Sequence, residues 1–203
     1  MAYSFFDNAQ ESIQLPMQDA IVEYHPTFLN TDKANDLFTY LHKTVPWQQD
    51  QITVYGKTYM QPRLTALYAI NKNPYKYSNI RMYPHEFPAI LMDVLDSVNK
   101  ISKEQFTTCL VNLYRDGQDS NGWHADDEKE LGPDPIIASL SLGEARWFHL
   151  KHKTNPSLKY KLKLTSGSLL LMKEGSQKNW LHQLPKSKRF TEPRINLTFR
   201  KIL

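Results

Sequence analysis

The stretch Arg194-Ile195-Asn196-Leu197-Thr198-Phe199-Arg200 alternates polar and apolar side chains without a break. A period of two marks a β-strand, because successive side chains point to opposite faces of a sheet. One face carries two guanidiniums, an amide and a hydroxyl; the other is wholly apolar. A solvent-facing edge strand accounts for such a pattern. A second segment points elsewhere: Asn112 and Tyr114 alternate with Val111 and Leu113 in the same way. A sheet interior lined by two Arg, two amides, a Thr and a Tyr calls for an anionic guest, since guanidiniums bind carboxylates through paired, charge-assisted hydrogen bonds. Six residue steps separate the two Arg α-carbons by roughly 20 Å, so their long side chains would converge on opposite ends of a small dianion.

His124-x-Asp126 places an imidazole and a carboxylate on one side of an extended backbone. A second imidazole, His182, follows 56 residues beyond Asp126 on another candidate strand. Two His and one carboxylate on one side of a metal leave the opposite positions open, as in non-haem Fe(II) oxygenases. A lone H-x-D is common on protein surfaces. Beside an Arg-lined pocket it reads differently: 2-oxoglutarate is a dianion whose keto-acid end chelates iron.

The 203 residues suit a single domain. No apolar run approaches the roughly 20 residues that span a bilayer, and residues 1–11 lack the pattern of a secretory signal. The single cysteine, Cys109, cannot form an internal disulfide, so a cytoplasmic protein is expected, nuclear in a eukaryote. Charge is unevenly spread. Residues 1–140 hold 11 Lys+Arg against 18 Asp+Glu, and residues 141–203 hold 14 against 3. A basic face from the last third would attract nucleic acid, or would simply be solvated.

Residues 1–20 read as a loosely held arm. Ile21–Tyr24 and Thr27–Leu29 are strand-like, and Asn30-Thr31-Asp32 offers caps for a helix reaching Lys43. Ile52–Tyr55 and Lys57–Met60 flank Gly56 as a hairpin, Pro62–Tyr68 continues as a strand, and residues 71–78 form a polar, aromatic loop. Ile90, Leu91, Val94, Leu95 and Val98 define a second helix over Ala89–Ile101. From Phe106 onward eight short strands suggest a sandwich or jelly roll with both helices on one outer face.

The motifs Asn112-x-Tyr114, His124-x-Asp126-Asp127-Glu128, Ile137–Gly143, His182 and Pro193-Arg194-x-Asn196-Leu197-Thr198-Phe199-Arg200 resemble those of the AlkB family of Fe(II)/2-oxoglutarate-dependent nucleic-acid dealkylases, in its animal-type DNA and RNA repair branch. The likeness runs from about Val54 to the C-terminus. It implies a mainly β fold with flanking helices. A double-stranded β-helix (jelly-roll) core would occupy about 106–203, and a nucleotide-recognition lid about 50–80. It assigns Fe(II) and the catalytic role to His124, Asp126 and His182. It assigns 2-oxoglutarate to Asn112, Tyr114, Arg194, Asn196, Thr198 and Arg200, with O2 as second co-substrate. Arg194 would hold the distal carboxylate, and Arg200 would lie nearer the metal.

The resemblance also implies how a base is read. Val54-Tyr55-Gly56-Lys57 is similar to the family's hairpin finger, with Tyr55 filling the space left by an extruded base; an ordinary exposed hairpin tyrosine is the plainer reading. In the lid, Arg63, Tyr75, Lys76 and Tyr77 would meet the nucleotide, Tyr77 stacking opposite the His124 ring. Such stacking contributes roughly 1–3 kcal/mol per base. Asp127 and Glu128 would bond the base edge or Arg63. Trp123 and Trp180, each beside a proposed ligand, are expected to pack and exclude water. The expected activity is oxidative demethylation of 1-methyladenine and 3-methylcytosine in DNA, with RNA as a second polymer, by a monomer without a membrane partner. The rivals are a hydroxylase or demethylase of a protein or small molecule, a silent nucleic-acid-binding module, and a zinc hydrolase; the last leaves the Arg-lined pocket unexplained.

Overall fold

The computed structural model describes residues 12–202, apart from 55–56, 72–74 and 78–79. Its elements in chain order are β1 (Ile13–Gln14), β2 (Val22–His25), α1 (Thr31–Thr44), β3 (Gln51–Val54), β4 (Lys57–Met60), β5 (Leu64–Ala69), β6 (Tyr75–Tyr77), β7 (Ile80–Met82), α2 (Ala89–Ser102), β8 (Thr108–Tyr114), β9 (Asn121–His124), β10 (Ile137–Gly143), β11 (Arg146–His152), β12 (Lys159–Leu164), β13 (Leu169–Met172), α3 (Ser176–Asn179), β14 (Trp180–Leu184) and β15 (Arg194–Arg200). No described helix is long and apolar enough to cross a membrane.

The core is a jelly roll of two facing sheets. The larger has the order β1-β2-β13-β10-β15-β8-β5, and the smaller β12-β11-β14-β9. The alternating strand β15 lies inside the larger sheet, paired along its whole length with β8 and over Arg194–Phe199 with β10. The edge-strand explanation therefore fails, and every residue of β15 is buried. Its apolar set, Ile195, Leu197 and Phe199, joins Cys109, Val111 and Leu113 in one core cluster. That cluster also takes Leu37 and Leu41 of α1 and Leu91, Val94, Leu95 and Val98 of α2. Both helices thus cover one face, as the periodicity requires. The Asn30 side chain accepts the Lys33 amide at 2.9 Å and starts α1. Burial pushes the Cys109 thiol up, which makes it inert packing.

Three expectations need correction. From residue 13 the N-terminal segment is not loose: Ile13 and Gln14 pair with Tyr24 and Glu23, and Leu15 and Met17 are buried. Backbone pairing holds it, and two strand residues are too few to show a period. Part of the 71–78 loop is strand: Tyr75 and Tyr77 pair with Met82 and Ile80 in the β6–β7 hairpin. Thr27–Leu29 forms no strand. The β3–β4 hairpin exists as expected, with its tip, Tyr55 and Gly56, outside the described residues.

The loop between β8 and β9 is clamped to the segment after β14. Gly117 donates to the Phe190 carbonyl at 2.9 Å and accepts from the Ser187 amide at 2.7 Å. Fully buried Arg146 donates to the carbonyls of Asp116, Asp119 and Pro185 at 3.0, 3.1 and 2.8 Å. A Cβ at position 117 would overlap the Ser187 carbonyl oxygen and lie 2.6 Å from that of Phe190. Gly117→Ala is expected to cost about 1–3 kcal/mol, the usual penalty of overpacking. The urea midpoint measures it; an unshifted midpoint would mean that this clamp does not form.

Candidate active site

His124 ends β9 and His182 sits in β14, and antiparallel pairing sets them directly opposite each other. Their ring centroids are 4.2 Å apart. Asp126 follows β9, and its carboxyl turns to the same side as His124. Oδ2 accepts from Arg200 Nη2 at 2.9 Å. Oδ1 lies 3.9 Å from His124 Nε2 and is buried without a hydrogen-bond partner. One ligand atom from each of His124, Asp126 and His182 lies within 4.8 Å of the others, close enough to hold a metal ion.

Protonation suits a cation. His124 Nδ1 is 2.7 Å from the Gly122 carbonyl oxygen, which can only accept, so Nδ1 carries the proton and Nε2 presents its lone pair. Burial, reinforced by His124, depresses His182 to about 3. Burial also lowers His124. Burial works against ionisation of Asp126, but Arg200 above all, with both imidazoles, holds it down at about 2. At neutral pH the cluster therefore offers two neutral imidazoles and one carboxylate, the forms that bind a divalent metal.

Beside the cluster lies the polar face of β15. Arg194 is 2 % exposed, and no acidic side chain pairs with it among the described residues. Its Nη2 donates to Ser141 Oγ at 2.9 Å and Asn196 Oδ1 at 2.8 Å, its guanidinium lies 5.3 Å from the Tyr114 ring centroid, and Nε has no partner. Burial pulls its pKa down to about 10. Asn196 in turn accepts from Ser139 Oγ and donates to Thr198 Oγ1, at 2.9 and 2.8 Å. A cavity between the sheets is lined by Asn112, Tyr114, Arg194, Asn196, Thr198 and Arg200, together with His124, Asp126 and His182. A buried guanidinium without a counterion fits an anion, and an orphaned carboxylate oxygen facing two imidazoles fits a cation.

A family model described as the 2OG-Fe(II) oxygenase superfamily matches residues 22–200. The chain belongs to this superfamily, and within it to the AlkB family. Cattle (Bos taurus) alpha-ketoglutarate-dependent dioxygenase alkB homolog 3 is 41 % identical over 187 residues, spanning 87 % of this chain and 64 % of the relative. Human (Homo sapiens) DNA oxidative demethylase ALKBH2 is 36 % identical over 181 residues, 84 % of this chain and 69 % of the relative. The chain thus spans about two thirds of the length of these curated relatives. The solved structure of OsALKBH1 superposes with a TM-score of 0.64 at 19 % identity, covering 94 % of this chain and all of that one, a likeness of fold. The superfamily's cofactor set is Fe(II), 2-oxoglutarate and O2.

In this AlkB-family chain the residues expected to read the base are placed unevenly. Tyr55 and Gly56 lie outside the described residues; Lys57 is exposed. Tyr75, Lys76 and Tyr77 form β6. Arg63 is buried and turned inward, donating to Asn112 Oδ1 at 3.0 Å, Asn121 Oδ1 at 3.2 Å and the Ser120 carbonyl at 3.4 Å. Asp127 is exposed and pairs with Lys153 at 3.2 Å. Glu128 has one buried oxygen without a partner, and burial, then Asp126, raises its pKa. Trp180 is buried, but Trp123 is 39 % exposed with the Lys151 ammonium 4.4 Å from its ring centroid, so it does not seal the site.

Sequence reasoning missed four contributors. Ser139 and Ser141 alternate with Ala138, Leu140 and Leu142, the same period-two signal that exposed β15. Asn121 places its amide nitrogen 3.2 Å from His124 Nε2, and Gln177, fully buried, accepts the Asp126 amide at 2.9 Å. Neither of these two has a local sequence signature.

The low pKa of His182 fixes a sign. Between its ordinary 6.5 and about 3 in the fold, the unfolded chain binds a proton that the folded site refuses, so stability rises with pH across that window. The metal-free protein is expected to lose stability as pH falls through this range. His182→Gln should flatten the dependence in melting temperatures taken at stepped pH. An equally steep dependence in the variant would contradict the burial of this imidazole.

Proposed function

We propose that this chain is an Fe(II)- and 2-oxoglutarate-dependent dioxygenase that demethylates 1-methyladenine and 3-methylcytosine in DNA, with RNA as a second substrate. The observation that carries the reading is the pairing of two unmet electrostatic demands in one cavity: a His-Asp-His cluster with a bare carboxylate oxygen, and a buried Arg194 with no acidic partner among the described residues. A metal alone answers the first demand only. A metal with a dicarboxylate answers both. The printed names of the relatives, an alpha-ketoglutarate-dependent dioxygenase and a DNA oxidative demethylase, support the same chemistry.

In this reading His124, Asp126 and His182 hold the iron. Arg194, prepared by Ser141 and Asn196, binds the distal carboxylate of 2-oxoglutarate, with Tyr114 alongside. Asn112 and Thr198 line the same cavity. Arg200 holds Asp126 so that its free oxygen faces the metal. Held there, Fe(II) with 2-oxoglutarate and O2 would supply the oxidising chemistry, one oxygen atom going to the N-methyl carbon, which leaves as formaldehyde, and the other to succinate with loss of CO2. Tyr55, Gly56 and Lys57 act as the finger, Arg63 supports the site from beneath, and Tyr75, Lys76 and Tyr77 belong to the lid. Asp127 and Glu128 face the base edge. Methylation of a pairing nitrogen gives a cationic base, and a cation beside Glu128 would lower the carboxyl that burial has raised.

The deciding assay loads the protein with Fe(II) without oxygen, then adds 2-oxoglutarate, O2 and an oligonucleotide carrying one methylated base. Succinate and methyl loss should appear together. Succinate formed only with a protein substrate, or tight oligonucleotide binding without turnover, would overturn the proposal. Arg194→Gln is expected to raise the KM for 2-oxoglutarate roughly ten- to a hundredfold, the range for losing a charged hydrogen-bond partner. An unchanged KM would place the dicarboxylate elsewhere.

A further inference from the structure

Residues 145–173 hold seven Lys and Arg and no Asp or Glu. The β11–β12 pairing sorts them by face. Leu150, which shares a face with His182, and Phe148 point inward, whereas Trp147, His149 and Lys151 point outward. Directly opposite these stand Lys163, Lys161 and Lys159 of β12. The three β12 lysines are exposed, as is Trp147 at 44 %. Lys151 and Lys159 are like charges directly across the sheet, an arrangement that destabilises an antiparallel pair. Nearby Lys161 also helps to keep His149 below its usual pKa, after burial. No described acidic side chain forms an ion pair with Lys151, Lys159, Lys161 or Lys163.

Edge strands do use lysines to repel other strands. That accounts for β12 alone. It does not account for Lys151 and the indole of β11, which has β12 on one side and β14 on the other. Alternate lysines on a strand stand about 6.7 Å apart, so the face offers a regular row of positive charge beside an open aromatic ring. Such a surface suits a polyanion that also presents flat, unstacked rings.

We propose that the outer face of the four-stranded sheet, centred on Lys159, Lys161, Lys163 and Trp147, binds the single-stranded nucleic acid that flanks the substrate base. Phosphates lie along the β12 lysines, and a base stacks on Trp147. The face is the reverse of the sheet that carries both cluster histidines, so it is a second site and not the catalytic pocket. An anionic membrane is the other polyanion to consider. A flat sheet with two exposed indoles, Trp147 and the Lys151-capped Trp123, and no protruding apolar segment among the described residues fits it less well.

The inference rests on the nucleic-acid reading above, and its test separates the two. Binding of an unmodified single-stranded 30-mer is measured against salt for the whole chain and for K159E/K161E/K163E. W147A tests the stacking residue, and K100E/K103E, at the C-terminal end of α2, is the control. Losing three phosphate contacts should lower the slope of log K against log salt by about 2. W147A should weaken binding several-fold with the slope unchanged, and K100E/K103E should leave both intact. With methylated substrates the triple variant should raise KM for a 30-mer but leave kcat, and KM for a trinucleotide, as they were. The trinucleotide result also confirms that the variant is folded. An unaltered slope in the triple variant reduces the lysines to edge protection and overturns the inference, as does vesicle binding (phosphatidylserine in phosphatidylcholine) without oligonucleotide binding. Absence of turnover on every methylated substrate, with the slope change present, would instead sink the dealkylase reading and leave this surface standing.

Discussion

One ion pair ties the two sheets together where the chemistry would occur. Arg200 belongs to the larger sheet, Asp126 to the loop leaving the smaller one, and they meet at 2.9 Å with side chains 4 % and 2 % exposed. Such a pair is a poor source of net stability, because desolvating both charges offsets most of their attraction. Its effect is positional. By occupying one carboxylate oxygen it leaves the other facing the two imidazoles, and it keeps Asp126 ionised in a place that would otherwise favour the neutral acid. Gln177 fixes the backbone of the same residue from the opposite direction. Carboxylate and amide are both held before any ligand arrives, as preorganisation requires.

The other end of β15 is left open by the same logic. Arg200 has its acid within the protein; Arg194 has hydroxyl and amide neighbours and, among the described residues, no acid. Two arginines on one strand face, equally buried, thus differ in what they lack. The first completes a site, and the second demands a guest. Neutral donors and acceptors around Arg194 fix its direction without neutralising it, so the charge stays available to a carboxylate.

Much of this could be read in the sequence because it is periodic. The polar and apolar faces of β15 and β8 showed themselves by alternation, and both helices by their 3, 4 and 7 spacing. His124 and Asp126 are close in the chain, and a strand sends i and i+2 to one side. What could not be read depends on contacts between distant residues that leave no period. Gln177 is 51 residues from Asp126, and Arg63 is 49 from Asn112, so only the folded chain brings them together. Arg63 shows the consequence: its lid motif suggested contact with a nucleotide, and nothing near it in the chain announced that its buried guanidinium also bonds Asn112 and Asn121. Charge counting misled in a related way. Of the 14 basic residues after position 140, Arg146, Arg194 and Arg200 are buried and add little to any surface field.

That separation of buried from exposed cations clarifies the architecture. Arg63, Arg146, Arg194 and Arg200 went inside, where planar guanidiniums can be satisfied by fixed carbonyl, amide and carboxylate oxygens. The lysines of β11 and β12 stayed outside, where a flexible ammonium keeps its water until a phosphate replaces it. One small sheet therefore turns its histidines towards the cavity, and lysines and an indole towards solvent. Strand alternation alone is enough to place both sets of residues on the same strands without conflict, because neighbouring side chains never compete for one face. A one-residue slip of β11 against β14 would exchange the two sets, burying Lys151 and exposing Leu150. The desolvation cost of that exchange holds the register that sets Leu150 opposite His182.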